Sequence, residues 1–253
     1  MFGMAGKHVV ISGAGGGIGR ALVALFLESG ARVTACDRDA GLLAALPDVT
    51  TETFELTDRA ATTAAMERII GRSGAPDAII GNAGFTRAER MADIDPDVWD
   101  SEIAINLTGT YNLIAPALPA MIAAGGGSIV LVSSVNAIAH FGNPAYSAAK
   151  AALNAYARAL AVEHGQHGIR ANCICPGSVR TPAWDHRIEK QPQLLDDVVR
   201  YYPLGRLVTP EEVAQTALFL ASPLSSGITG TAIAVDAGLT AGNRRFVSEV
   251  LGG

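Results

Sequence analysis

The sequence predicts an α/β chain folded as one doubly wound parallel sheet of about seven strands, with helices on both faces. Three observations carry that expectation. Apolar runs of strand length alternate with helical patterns along the whole chain, as right-handed strand–helix–strand crossovers require. The runs are near-continuously apolar rather than alternating, which suits strands covered on both faces. No repeat, low-complexity tract or composition shift splits the 253 residues, a length that one core can serve.

The elements follow in order. "KHVVIS" (7–12) reads as the first strand, and "SGAGGGIGRALVALFLESG" then opens a helix near 18–29. "ARVTACD" (31–37) is the second strand and "TTETFEL" (50–56) a weaker third. A helix near 58–72 leads to "DAIIGNAG" (77–84), and a long helical stretch, 98–123, leads to "SIVLVSS" (128–134). A helix over 145–164 precedes "IRANCIC" (169–175), and a helix over 210–221 precedes "TAIAVD" (231–236). Residues 178–209 break the rhythm. That is long for a connection, so the segment is expected to be a functional insertion, and Trp184, Tyr201 and Tyr202 argue that it is ordered.

Hydrophobic residues make up 49% and charged residues 17%, a globular composition, and the formal net charge is −5. No basic block is present, which argues against a nucleic-acid partner. The region Leu113 to Val132 is apolar but interrupted by Pro116, Pro119 and Gly125 to Gly127, so it reads as helix, turn and strand rather than a membrane span. The N-terminal residues read as the start of a strand rather than a signal peptide, making the cytoplasm the expected location. Cys36, Cys173 and Cys175 form a sparse, odd set that suits a reducing compartment and buried structural thiols. His164, His167 and His186 show no metal-ligand spacing, and no metal is expected.

The glycine loop lacks a strict G-x-G-x-x-G. Its spacing is Gly13, three residues, Gly17, one residue, Gly19. The physical logic is the same: glycine permits positive φ and close backbone approach, and the following helix offers free N–H groups to a pyrophosphate. The plain alternative is a tight turn. Asp37 ends the second strand 18 residues beyond Gly19, where a carboxylate can accept hydrogen bonds from an adenosine ribose and opposes the extra phosphate of NADP. Two like charges at about 4 Å cost roughly 4 kcal/mol at an effective dielectric near 20. Arg38 offsets part of that, and NAD is the expected cofactor, with NADP less favoured.

"NPAYSAAK" opens the helix over 145–164. Asn143 suits an N-cap and Pro144 the first helical position. Tyr146, Lys150, Leu153, Ala157 and Leu160 then recur at steps of four and three, so they share one inward stripe. A lysine on that stripe is not a solvent-facing one.

Together these pieces resemble the short-chain dehydrogenase/reductase family of the classical type. The matching segments are "SGAGGGIG" (12–19), "GNAG" (81–84), "INLTGTY" (105–111), "VSS" (132–134), "YSAAK" (146–150), "CPGSVRTP" (175–182) and "ITGTAIAVDAG" (228–238), in that order. The resemblance spans essentially the full length and implies a single NAD(P)-binding Rossmann domain over residues 1–253, with the substrate loop at about 178–209. It implies Tyr146 as general acid/base, with Lys150, Ser134 and Asn106 completing the catalytic set. The backbone of Asn106 would help hold a relay water. For the cofactor it implies Ser12, Gly13, Gly17, Ile18, Gly19, Asp37 and Arg38, with Glu55 and Leu56 at the adenine. Asn82, Ala83 and Gly84 would support the nucleotide beside Tyr146 and Lys150. Pro176, Gly177, Val179 and Thr181 would receive the nicotinamide carboxamide.

The chemistry explains these residue types. A free phenol titrates near pH 10, and a base for neutral pH needs a value about 3 units lower, roughly 4 kcal/mol. A nearby ammonium and an oxidised nicotinamide supply a lowering of that kind. Tyrosinate then takes the alcohol proton as hydride leaves the carbon, and Ser134 holds the substrate oxygen. Four departures from the family pattern stand out. Ser12 replaces Thr but keeps the hydroxyl. Gly81 replaces an Asn, which is expected to loosen the turn there. Ala237 replaces a Gly, a change expected to matter little. The fourth is the span from Ser134 to Tyr146, 12 positions. Ser133 would give the commoner 13, but strand alternation and the "SSV" context favour Ser134.

Asn136, His140, Phe141 and Trp184 join Ser134 as candidates to line a substrate pocket for a medium-sized or cyclic secondary alcohol or ketone. The resemblance also implies a homotetramer, with "NRRFVSEVLGG" against a neighbouring subunit. Three functions remain distinct: an NAD-dependent alcohol dehydrogenase, an NADPH-dependent reductase of the 3-oxoacyl type, and a non-catalytic dinucleotide sensor. The joint presence of Ser134, Tyr146 and Lys150 counts against the sensor.

Overall fold

The computed structural model describes residues 2–47, 49–87 and 90–252, and for Ala183 its backbone alone. Met1 and Gly253, the expected bounds of the domain, lie outside the described residues. The seven strands are β1 His8–Ser12, β2 Arg32–Asp37, β3 Thr50–Thr53, β4 Ala78–Gly81, β5 Gly127–Val132, β6 Ile169–Pro176 and β7 Ala232–Val235. All pair in parallel, in the order β3-β2-β1-β4-β5-β6-β7.

Strand alternation builds two cores. Val9 and Ile11 of β1, Ile80 of β4 and Val130 of β5 face one side. There they meet α1 (Gly17–Glu28) and α10 (Pro210–Ala221), through Leu22, Phe26 and Val213. Val10, Ile79, Ile129 and Leu131 face the other side. They bury against α3 (Arg59–Ser73), α5 (Gly109–Ile114) and α7 (Pro144–His164) through Met66, Ile69, Leu113 and Leu153. Both faces of the inner strands are thereby dry, which is why these read as near-continuous apolar runs, whereas the edge strands β3 and β7 alternate exposed and half-buried residues.

The structure departs from the sequence reading in four places. A short helix, α2 (Ala40–Ala44), follows β2, capped by Asp39. The expected helix over 98–123 is divided into α4 (Pro96–Ile103), a π-helical turn at Ala104–Thr108, α5, and α6 (Leu118–Ala123). Pro116 and Pro119 lack N–H groups, and the break between α5 and α6 falls between and beside them. Residues 178–209 are not an open loop: they hold α8 (Pro182–Lys190) and α9 (Leu194–Val199). A bridge between Val179 and Val208 closes the base of this segment, and the buried Tyr202 hydroxyl accepts from Ser178 N–H at 2.9 Å. Finally, the C-terminal residues form α11 (Arg244–Val250), whose Phe246, Val247 and Val250 are exposed.

Asn143 precedes α7 as expected but makes no side-chain cap bond. It sits in the left-handed region at φ 51°, and its carbonyl accepts from Ser147. Ala237 is the other non-glycine residue described at positive φ, at 50°. Glycine at this position would adopt that backbone freely, so the replacement matters: a Cβ in left-handed backbone costs roughly 1–2 kcal/mol.

Candidate active site

The strand order reverses at β1, which has β2 on one side and β4 on the other, so a crevice opens beyond their C-terminal ends. The two ends are tied by Ser12. Its hydroxyl accepts from Asn82 N–H at 3.1 Å and Ala83 N–H at 3.2 Å, while the Asn82 amide donates to Ser12 O and Gly13 O. The hydroxyl kept at position 12 is therefore what shapes the turn after β4. Gly81 does not loosen it: the residue stays in register with Leu131, and a Cβ there would come within 3.0 Å of the Leu131 side chain.

The glycine loop approaches its neighbours too closely for side chains. A Cβ on Gly19 would lie 2.1 Å from Gly13 O, and one on Gly17 would lie 2.7 Å from Thr181. Gly13, at φ 62°, is the loop's left-handed residue. The result is a cleft of about 350 Å³ at the N-terminus of α1. Of the residues expected at the cofactor, Ser12, Gly13, Gly17, Ile18, Gly19, Asp37, Arg38, Glu55, Leu56, Asn82, Ala83, Gly84 and Thr181 all line it. Asp37 Oδ2 accepts from Gly15 N–H at 3.0 Å, and the Arg38 guanidinium lies 3.7 Å from the Glu55 carboxylate. A carboxylate at this rim can accept from a ribose diol, and the loop N–H groups can donate to a pyrophosphate.

Lys150 is buried, and its Nζ donates to Val132 O at 2.8 Å. Nζ lies 5.4 Å from the centroid of the Tyr146 ring, one helical turn away. Leu153, Ala157 and Leu160 continue the same stripe into the core. Burial pulls Lys150 down to about 8. Burial also pushes the Tyr146 phenol above its ordinary value, opposed by the Ser134 hydroxyl beside it. The expected lowering is thus not a property of the protein alone, because desolvation outweighs it.

The two serines part ways after β5. Ser133 donates to Lys150 O at 2.9 Å, while Ser134 faces the phenol. Ser134 Oγ accepts from Asn136 N–H at 3.1 Å and donates to Asn136 Oδ1 at 3.3 Å. The π-helical turn places Asn106 inside the fold at 0% exposure; such turns recur at functional sites. Its side chain accepts from Phe85 N–H at 3.2 Å and donates to Phe85 O at 2.7 Å. Its carbonyl accepts from the Thr110 hydroxyl at 3.3 Å.

A serine, tyrosine and lysine gathered behind a glycine-lined cleft agree with the family comparison, in which the model described as enoyl-(acyl carrier protein) reductase matches residues 13–240. The chain belongs to the short-chain dehydrogenase/reductase family. An oxidoreductase of Schizosaccharomyces pombe, named as uncharacterized, is 41% identical, covering 97% of this chain and 95% of its own. The 3-oxoacyl-[acyl-carrier-protein] reductase FabG of Thermotoga maritima is 37% identical over 92% of this chain and 98% of its own. A crystal structure of a short-chain dehydrogenase/reductase family oxidoreductase from Burkholderia thailandensis superposes with a TM-score of 0.92 at 41% identity, covering 98% of each chain.

In this short-chain dehydrogenase/reductase the segment after β6 is held from both sides. Pro176 ends the strand, Gly177 N–H bonds Val235 O at 3.0 Å, and Val179 forms the bridge to Val208. Of the four residues expected at the carboxamide, Thr181 reaches the cleft lining and the other three shape the backbone behind it. Of the substrate candidates, Asn136 is brought to Ser134, but its amide is committed to Gly142 O and Ser147 Oγ. It is a brace of the loop rather than a free pocket wall. His140 and Phe141 are exposed on that loop, and Trp184 lies on α8 with the Arg187 guanidinium 5.0 Å over its ring.

Leu42, Phe54, Phe85 and Ile105 also line the cleft and were not expected. Phe85 had a signal, since it directly follows "NAG"; the others come from separate elements. Among the described residues no helix is long and apolar enough to cross a membrane, and no cluster of three or more His, Cys, Asp or Glu could hold a metal ion. Burial pushes the thiols of Cys36, Cys173 and Cys175 up, as inert core thiols require.

Proposed function

We propose that the chain is an NAD-dependent oxidoreductase that interconverts a secondary alcohol and a ketone. The observation that carries this reading is the meeting of Ser134, Tyr146 and buried Lys150, whose Nζ lies 3.1 Å from where a Cβ on the cleft-lining Gly84 would sit. When bound, a nicotinamide dinucleotide supplies the hydride acceptor or donor. The residues of the chain do the rest. The glycine loop and the α1 N-terminus hold the pyrophosphate, and Asp37 holds the ribose. Ser134 Oγ donates to the substrate oxygen in place of Asn136 Oδ1. Tyr146 Oη takes or returns the proton at that oxygen, and Lys150 Nζ, anchored by Val132 O, holds positive charge near the resulting phenolate. Burial keeps the phenol above its ordinary value in the protein alone, so a bound oxidised nicotinamide would have to supply part of the lowering.

Asp37 and the pairing of Arg38 with Glu55 support NAD over NADP. The likeness to the Thermotoga maritima FabG, named as a 3-oxoacyl reductase, supports a second reading in which the substrate is a 3-oxoacyl thioester reduced by NADPH. Oxidation of a panel of secondary alcohols, followed by nicotinamide absorbance with each cofactor, tests both. Turnover with NAD and a simple alcohol supports the first; reduction of 3-oxoacyl thioesters with NADPH alone supports the second. Failure with every alcohol and ketone defeats both and leaves a dinucleotide sensor. The reading includes one catalytic domain, a cytoplasmic setting consistent with three free buried thiols, and a homotetramer, which light scattering tests.

A further inference from the structure

Glu102 lies on α4, one turn before Asn106, at 0% exposure. A carboxylate taken fully out of water needs donors to hold it. Its Oε1 accepts from the Thr86 hydroxyl at 3.0 Å and from the Arg87 backbone N–H. Both donors belong to the segment that follows Gly84. The next residue toward the cleft, Phe85, is gripped on its N–H and carbonyl by Asn106. The Asn106 amide in turn donates to Glu102 O at 2.9 Å. Glu102 and Asn106 therefore act on one stretch of backbone, residue by residue, from a single helical face. That stretch carries Gly84 and Phe85 into the cleft lining. There is no slack at Gly84, where a Cβ would fall 2.5 Å from Asn106 Oδ1 and 3.1 Å from Lys150 Nζ.

The charge of Glu102 does not serve the proton transfer. It lies close enough to Tyr146 to oppose ionisation of the phenol. A buried negative charge near a base that must itself become negative is unfavourable. What it provides is mechanical: one acceptor oxygen, Oε1, that holds the Thr86 hydroxyl and the Arg87 N–H of that loop together.

We propose that Glu102 is a positioning residue of the nucleotide site, clasping residues 84–87 to α4 so that Gly84 and Phe85 meet the bound dinucleotide. This rests on the dehydrogenase reading, but its test does not require the right alcohol. The experiment measures NADH binding by fluorescence for wild type, Glu102→Ala, Glu102→Gln and Thr86→Val, with circular dichroism to confirm folding. Where a substrate is in hand, KM for NAD and kcat are measured as well. Glu102→Ala weakens NADH binding about tenfold or more, while Glu102→Gln, whose amide oxygen still accepts from both donors, stays within about threefold of wild type. Thr86→Val, which loses one of the two bonds, falls between them. In turnover, Glu102→Ala raises KM for NAD with kcat at saturating NAD preserved, a split that general loss of folded enzyme does not produce.

Folded Glu102→Ala that binds NADH within twofold of wild type overturns the proposal. So does Glu102→Gln as weak as Glu102→Ala, or a fall in kcat with KM intact. If Glu102→Ala does not fold, Thr86→Val decides: unchanged binding overturns the clasp, and weakened binding with Glu102→Gln intact supports it. A wild type that binds neither NADH nor NADPH defeats the dehydrogenase reading and the clasp together, whereas NADH binding without turnover of any alcohol leaves the clasp to be judged on its own.

Discussion

Replacing Lys150 by Met should remove activity and, at neutral pH, make the protein more stable. The lysine is buried, and burial pulls it from 10.5 to about 8. That difference of 10.5 − 8 corresponds to roughly 3 kcal/mol by which the folded state is penalised for holding the proton. The folded pKa is below the unfolded one, so between these values the unfolded chain binds more protons, and wild-type stability rises as pH rises from about 8 to 10.5. Methionine fills similar space without charge, but it leaves Val132 O without its donor, a loss of about 1–2 kcal/mol. Lys150→Met is then expected to be more stable than wild type by about 1–2 kcal/mol near pH 7 and less stable by about the same amount near pH 10.5. Urea denaturation of both proteins across that range measures the difference, and taking the difference cancels the other groups that titrate there. A stability difference that stays flat with pH would refute the reasoning. It would mean that Lys150 is not buried as an ammonium.

Further substitutions have expected outcomes. Tyr146→Phe loses on the order of a thousandfold or more in kcat, while NADH affinity by fluorescence changes by less than about threefold, because the phenol oxygen carries the proton and not the nucleotide. Ser134→Ala loses about a hundredfold in kcat. Ser133→Ala keeps its turnover but loses about 1 kcal/mol in denaturation for its bond to Lys150 O, and the reverse pattern would exchange their roles. Asp37→Ser narrows the ratio of kcat/KM for NAD over NADP by about a hundredfold, bounded above by the roughly 4 kcal/mol of two like charges at about 4 Å. Ala237→Gly raises stability by about 0.5 kcal/mol, since relief of left-handed strain exceeds the added freedom of the unfolded chain; an unchanged or lower melting temperature would count against that strain.

The inner strands were the most legible because strands buried on both faces need apolar residues at nearly every position, and such runs leave a strong mark; the edge strand β3, half-buried and exposed by turns, left a weaker one. The stripe from Tyr146 to Leu160 was legible for the same reason, one face of one helix being enough to place a lysine indoors. The break of the 98–123 stretch was less so. A π-helical turn adds one residue to a helix without a distinctive composition, and it is this turn that sends Asn106 inward. The folding of residues 178–209 into two helices was hidden because neither helix buries a continuous apolar face.

The sequence by itself determined the layering, the glycine loop and the residue types of the Tyr146–Lys150 stripe, since periodicity and glycine spacing act within a few residues of chain. Only the tertiary structure decided between Ser133 and Ser134 as the neighbour of Tyr146, and showed Asn136 to be a brace. It alone joined Glu102 to Thr86 and Arg87. Those choices depend on where a hydroxyl or a carboxylate points after strands and helices from distant parts of the chain have packed. No local pattern records that direction, because the partner that fixes it is supplied by another element.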